Sequence, residues 1–158
     1  MTATNNNPDL TVSRIIHAPR AAVWKAWVDP KHFEKWWAPA PFITVSTKHE
    51  LHPGGAFGTI MRMEDGTEYA GEGCFLEVVE NERIVWTSAL RGGWRPNKED
   101  MPFSAIVTLE DHPEGTKYTA TALHQNDQDR KTHADMGFID GWGACIEQLG
   151  KLAESLVE

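Results

Sequence analysis

Histidines, acids and thiols come first, because they move protons or hold metals near neutral pH. His49-Glu50-Leu51-His52 places two imidazoles close together. A zinc-binding helix needs His-Glu-x-x-His, with both rings on one helix face. Here the second histidine comes one position early. On a strand, residues 49 and 52 point to opposite faces, and no third ligand is signalled. Both read as solvated histidines of a turn. Asp127-Gln128-Asp129 has the opening spacing of a calcium loop. Thr132 stands where that loop requires glycine, and the closing acid is missing. The two aspartates read as acids favoured at a helix start. No metal and no cofactor is expected.

Nucleophiles are no better signalled. The chain has no Gly-x-Ser-x-Gly elbow, phosphate loop or dinucleotide fingerprint. Gly71-Glu72-Gly73-Cys74 lacks a third glycine and opens no helix. Cys74 has no basic neighbour to lower its pKa. Cys145 lies near Trp142 on an expected helix. With only two cysteines and no Cys-x-x-Cys pair, both read as reduced core thiols of a cytoplasmic protein. His124 ends the last expected strand, and His133 falls on the first turns of the final helix. Asp129 precedes His133 by one turn and can pair with it. The preferred reading makes His133 a surface residue bound to Asp129. The alternative turns it towards the sheet as a titratable group at a pocket mouth.

Aromatic residues form a constellation rather than a motif. Seven tryptophans occur in 158 residues. Trp27, Phe33, Trp36 and Trp37 fall on short helices, Phe57, Trp86 and Phe103 on strands, Trp94 in a loop, and Phe138 and Trp142 on the final helix. Most must be core. Ala120 and Ala122 offer small side chains on the last strand, and large rings around small residues leave room for a cavity. Small-molecule sites are mainly apolar with a few polar groups. The candidate ligand-binding residues are therefore Trp36, Trp37, Trp86, Phe103, Met136 and Trp142, with Tyr118, His124 and His133 as polar points. Glu72, His124 and His133 are the side chains able to act as acid or base there. No residue is assigned a catalytic role.

The elements that position these side chains follow from periodicity. Ile139, Trp142, Ile146, Leu149, Leu152 and Leu156 recur every three or four residues, one face of a helix. Asn126 can cap its start. A single helix over residues 126–157 would be roughly 45 Å long and must lie across a sheet. Gly137, Gly141, Gly143 and Gly150 interrupt it. The preferred reason is close packing on the sheet, the alternative is room for a ligand. Residues 1–9 read as a disordered lead. A strand over 10–17 precedes a helix with Pro19 in its first turn. Asp29-Pro30 caps a second short helix running to Trp37. Six strands follow in a meander, over 42–48, 56–63, 68–79, 83–90, 102–111 and 116–124. Asp65-Gly66 supplies a hairpin turn, 91–101 is a loop, and Gly71 and Gly73 suggest a bulge or sharp curvature. The class is α+β: a curved antiparallel sheet, two short helices after strand one, and a long C-terminal helix across the sheet. Residues 10–158 form one domain.

Composition narrows the partners. A formal net charge of −8 argues against nucleic acid or an anionic membrane surface. No apolar run reaches membrane-spanning length, and the first residues lack the basic and apolar regions of a signal peptide. A homodimer is compatible with this composition.

Specific segments carry a family resemblance. Ala18-Pro19-Arg20-x-x-Val23-Trp24-x-Ala26-Trp27 followed by Asp29-Pro30 resembles the start of the START-related, Bet v 1-like (SRPBCC) helix-grip superfamily. Phe33-x-x-Trp36-Trp37-Ala38-Pro39, Glu82-Arg83-Ile84-Val85-Trp86-Thr87 and Gly137-Phe138-x-x-Gly141-Trp142 resemble the branch related to the activator of the 90-kDa heat-shock protein ATPase. Ala38 stands where that branch more often has glycine. The resemblance implies a helix-grip fold, residues 10–158, with an apolar cavity between sheet and terminal helix. It implies carriage of a small hydrophobic or aromatic ligand. A cyclase or hydratase using the same cavity and a co-chaperone role are the alternatives. The matched motifs are structural and carry no catalytic residue. The co-chaperone's partner-binding N-terminal domain has no counterpart here, so chaperone activation is not expected.

Overall fold

Alternating side chains build the sheet. The computed structural model describes residues 8–157. In chain order the strands are β1 (Asp9–Ile16), β2 (Ile43–His49), β3 (Ala56–Arg62), β4 (Glu68–Val79), β5 (Arg83–Thr87), β6 (Leu90–Arg91), β7 (Arg95–Pro96), β8 (Phe103–His112) and β9 (Gly115–His124). The helices are α1 (Arg20–Val28), α2 (Pro30–Phe33), α3 (Asp127–Asp135) and α4 (Phe138–Ser155). Seven strands pair antiparallel in the order β1-β9-β8-β5-β4-β3-β2, and β6 pairs with β7 as a small separate hairpin. On β9, Thr116, Tyr118, Ala120, Ala122 and His124 are buried while the residues between them are not. That period of two turns one face of the strand to the core. The helices cover this inner face, which makes the architecture the helix-grip fold. Helices α1 and α2 carry the chain from β1 at one edge to β2 at the other, and α4 packs on β1 and α1.

Local chemistry places the helix starts. Asp29 Oδ1 accepts from Lys31 N at 3.0 Å, with Pro30 in the first turn of α2. Asn126 Oδ1 accepts from Asp129 N at 2.8 Å and caps α3. Pro19 stands just before α1, and its carbonyl accepts from Ala22 N at 3.0 Å.

The terminal helix is not one rod. Gly137 takes φ +92°, a left-handed conformation that glycine adopts without Cβ strain, and splits it. Helix α4 has 18 residues, about 27 Å of length rather than 45 Å. Its phase restarts at Phe138, so Phe138, Ile146, Leu149 and Ala153 are buried while Ile139 is 46% exposed.

Other boundaries move too. The α2 helix stops at Phe33, and turns carry the chain to Trp37. The strand expected over 83–90 ends at Thr87, whose Oγ1 accepts from Ala89 N at 3.1 Å. The expected loop then contains the β6–β7 hairpin. The bulge in β4 falls between Phe75 and Glu77, not at Gly71 or Gly73. Of the lead expected over residues 1–9, residues 1–7 lie outside the described residues, and Asp9 already belongs to β1. Among the described residues no helix is long and apolar enough to cross a membrane.

Candidate binding cavity

The cavity is what remains when large rings close around a narrow floor. It has a volume of about 450 Å³. Val107, Tyr118 and Ala120 on β8 and β9 line it, as do Phe57, Thr59 and Met61 on β3. Gly71 and Gly73 on β4 also line it, and a Cβ on Gly73 would stand 2.8 Å from the Thr87 carbonyl oxygen. Trp36 and Trp37 enter from the loop after α2, Trp86 from β5 and Phe103 from β8. Phe138, Trp142 and Ile146 come from α4. Met136, 71% exposed, stands where the cavity meets solvent.

Ring contacts make one continuous wall. Trp37 lies 5.3 Å from Phe57 and 5.9 Å from Trp86. Trp86 lies 5.4 Å from Phe103, and Phe138 lies 4.4 Å from Trp142. These are edge-to-face and tilted separations typical of stabilising aromatic pairs. Trp94, by contrast, is 53% exposed in the β6–β7 turn. The loop holding Trp36 and Trp37 is pinned to α4 by Gln148, which the sequence reading passed over. Its Nε2 donates to the carbonyls of Trp36 at 3.2 Å and Ala38 at 2.8 Å. Its Oε1 accepts from Ala40 N at 2.8 Å.

All the candidate residues except His124 line the cavity. His124 sits behind the wall, with its Nε2 2.8 Å from His133 Nδ1. His133 is 9% exposed and faces inward. The preferred surface pairing with Asp129 is therefore corrected: Asp129 accepts from Gln125 Nε2 at 2.7 Å instead. On α3 the His133 ring stands 4.9 Å from Phe103. Tyr118 is 2% exposed, and its hydroxyl accepts from Trp27 Nε1 at 2.9 Å. Burial raises its pKa well above the usual phenol value, so it stays neutral and keeps its own proton to donate. Cys145 also lines the cavity, half-buried rather than in the core. Burial pushes its thiol up to about 12, and Sγ donates to the Trp37 carbonyl at 3.2 Å. Glu72 and Glu99 add acids to the lining.

His49 is a second correction. It is not solvated: its ring lies 4.7 Å from Phe33 and stacks 5.9 Å from Trp27. Its Nε2 donates to the Trp27 carbonyl at 3.0 Å. The β2–β3 register shifts between Ser46 and Lys48, just before His49, which pairs with Phe57 of the aromatic cluster. His52 is exposed, as a turn histidine should be. Among the described residues no group of three metal-ligating side chains occurs.

The two buried imidazoles make stability depend on pH. Burial lowers the pKa of His49. Burial, then the neighbouring His124, brings His133 down to about 4 from 6.5. Between those values the unfolded chain binds a proton that the folded one refuses, so stability rises with pH there. The contribution is complete above about pH 6.5 and is lost as pH falls towards 4. For His133, allowing for solvent screening, it is about 1–2 kcal/mol. Urea midpoints measured from pH 7 down to 4.5 should fall, and the His133→Phe variant should flatten the slope. An unaltered slope would refute this assignment.

Gly137 answers to its left-handed backbone, and the other three helix glycines differ in what faces them. A Cβ on Gly143 would stand 2.8 Å from Arg14 Nη2, and one on Gly150 would touch Ile16 at 3.6 Å. Gly141 lines the cavity, with nothing within 4 Å of its added Cβ. Gly150 makes an ordinary van der Waals contact with β1, Gly143 faces the movable tip of Arg14, and open cavity space surrounds Gly141.

Fold and cavity together define a helix-grip protein. Comparison with known proteins narrows the class. Residues 17–154 match the family described as activator of Hsp90 ATPase homolog 1-like protein, and this chain belongs to that family. A crystal structure of a protein from Nitrosomonas europaea is 38% identical, covers 93% of this chain and 94% of its own, and superposes with a TM-score of 0.88. One from Mycobacterium smegmatis is 26% identical over 92% of this chain and 90% of its own, with a TM-score of 0.79. An AHSA1-like protein from Aeromonas hydrophila, 20% identical over 93% and 92% of the two chains, shares the fold at a TM-score of 0.67. No protein of curated function matches.

Proposed function

We propose that this protein binds a small apolar or aromatic molecule in the cavity between its sheet and α4. The observation that carries the reading is the cavity itself: about 450 Å³, walled mainly by aromatic rings and broken by few polar groups. Ligand sites commonly span about 300–1,000 Å³ with this kind of lining. Its two unpaired thiols, Cys74 and Cys145, suit the reducing cytoplasm. Carriage is favoured over a cyclase or hydratase reaction. A general base works best with a pKa near the working pH, and His133 lies far below that at about 4. Glu72 is exposed.

Trp36, Trp37, Trp86 and Trp142 all touch the cavity, so intrinsic fluorescence reports its occupancy. Titration with a library of small aromatic and aliphatic compounds is expected to quench that emission and raise the thermal midpoint for a subset. No response from any member would overturn the proposal.

A further inference from the structure

The histidine pair specifies one chemical feature of the occupant, an inference that rests on the binding reading above. His124 Nδ1 lies 2.7 Å from the Pro8 carbonyl oxygen. A carbonyl only accepts, so Nδ1 carries the His124 ring proton. In the neutral ring Nε2 is then an acceptor, and it lies 2.8 Å from His133 Nδ1. That nitrogen must therefore carry the His133 proton. The relay leaves His133 Nε2 with a lone pair free to accept, since the bond this ring makes to His124 uses Nδ1. This ring is part of the cavity lining, 4.9 Å from Phe103, 5.1 Å from Phe138 and 6.1 Å from Trp142. Burial and the second imidazole keep it neutral near pH 7.

We propose that the cavity selects aromatic ligands carrying a neutral hydrogen-bond donor at the ring edge, a phenolic O–H or a heteroaromatic N–H, which His133 Nε2 accepts. Phe103, Phe138 and Trp142 are placed to pack against the ligand ring while its edge meets the imidazole. A ligand presenting only an acceptor there faces a lone pair with no proton between them, and an acceptor left unpaired on binding loses affinity. His124 does not touch the ligand: it is a positioning residue that fixes the tautomer.

The test compares 2-naphthol with 2-methoxynaphthalene, which keeps the ring and loses the donor, on the full chain at pH 7.5 by tryptophan quenching. The ratio of their affinities is expected to favour naphthol about tenfold more in the wild type than in His133→Phe, the worth of one neutral hydrogen bond. His124→Phe, which frees the tautomer, should erode that ratio while leaving the ether's affinity little changed. Nitrogen-15 chemical shifts on the wild type supply a reading independent of variant folding. His133 Nε2 should resonate as an unprotonated nitrogen and move on adding naphthol but not the ether. An equal preference in wild type and His133→Phe, or a protonated Nε2, would overturn donor selection and leave the cavity reading standing. If neither compound binds, donor selection falls, and the binding reading is decided by the library titration.

Discussion

Replacing Trp27 by alanine is expected to remove about 4–8 kcal/mol of stability, a large share of what holds the fold at 25 °C. The indole is 1% exposed. Its ring lies 5.3 Å from Phe33, 5.7 Å from both Trp36 and Trp37, and 5.8 Å from Phe57. Truncating a buried tryptophan costs about 3–5 kcal/mol, because the site collapses only partly. Here the void would open beneath the residues that hold the cavity wall. The Tyr118 hydroxyl also loses its buried donor, and a stranded polar group costs about 1–3 kcal/mol more. A domain of this size holds about 5–15 kcal/mol in all. Trp27→Phe keeps a ring and gives up the N–H, so it should fold with a loss of only about 1–3 kcal/mol. Urea unfolding followed by circular dichroism separates the two. A Trp27→Ala protein as stable as wild type would show that this indole is not the hub of the core.

Gly141→Leu should do the opposite: abolish ligand binding and spare the fold. Nothing stands within 4 Å of a Cβ at this position, and the residue lines the cavity. Leucine in place of glycine inside a helix gains about 0.8–1 kcal/mol of propensity. Its side chain would occupy space the ligand needs, and overpacking of about 1–3 kcal/mol weakens binding about 5- to 150-fold. Gly143→Leu is the control. Its Cβ would displace only the flexible tip of Arg14, 2.8 Å away, and Gly143 does not line the cavity, so ligand affinity should be kept. The readouts are the thermal midpoint and quenching by the best library ligand. Wild-type affinity in Gly141→Leu would place the ligand elsewhere.

These contrasts show where local reading stops. The caps at Asp29 and Asn126 were legible because a cap depends on a side chain and a backbone N–H two or three residues away. The strands were legible because burial of one sheet face imposes a period of two. His49 and His133 were misjudged because the plain expectation for an isolated histidine is solvent. What encloses His49 is Trp27 and Phe33. What turns His133 inward is a second imidazole and a phenyl ring from β8 and β9. Neither environment is written near the residue in the chain. Gly137 was seen as an oddity within one helix. Its positive φ, which ends α3 and resets the phase at Phe138, appears only in the backbone.

By itself the sequence determined the order of the seven strands of the large sheet, the fold class, the family motifs and the set of rings large enough to wall a cavity. Those follow from periodicity, turn residues and caps, which act over a few residues. Only the tertiary structure decided that a hollow survives among those rings, that Gly141 borders it while Gly143 does not, and that Pro8 and His124 set which nitrogen of His133 carries the proton. Each of those depends on atoms brought together from distant segments. Packing and hydrogen-bond geometry are settled in space by a few tenths of an ångström, a scale that residue types and spacings along a chain do not encode.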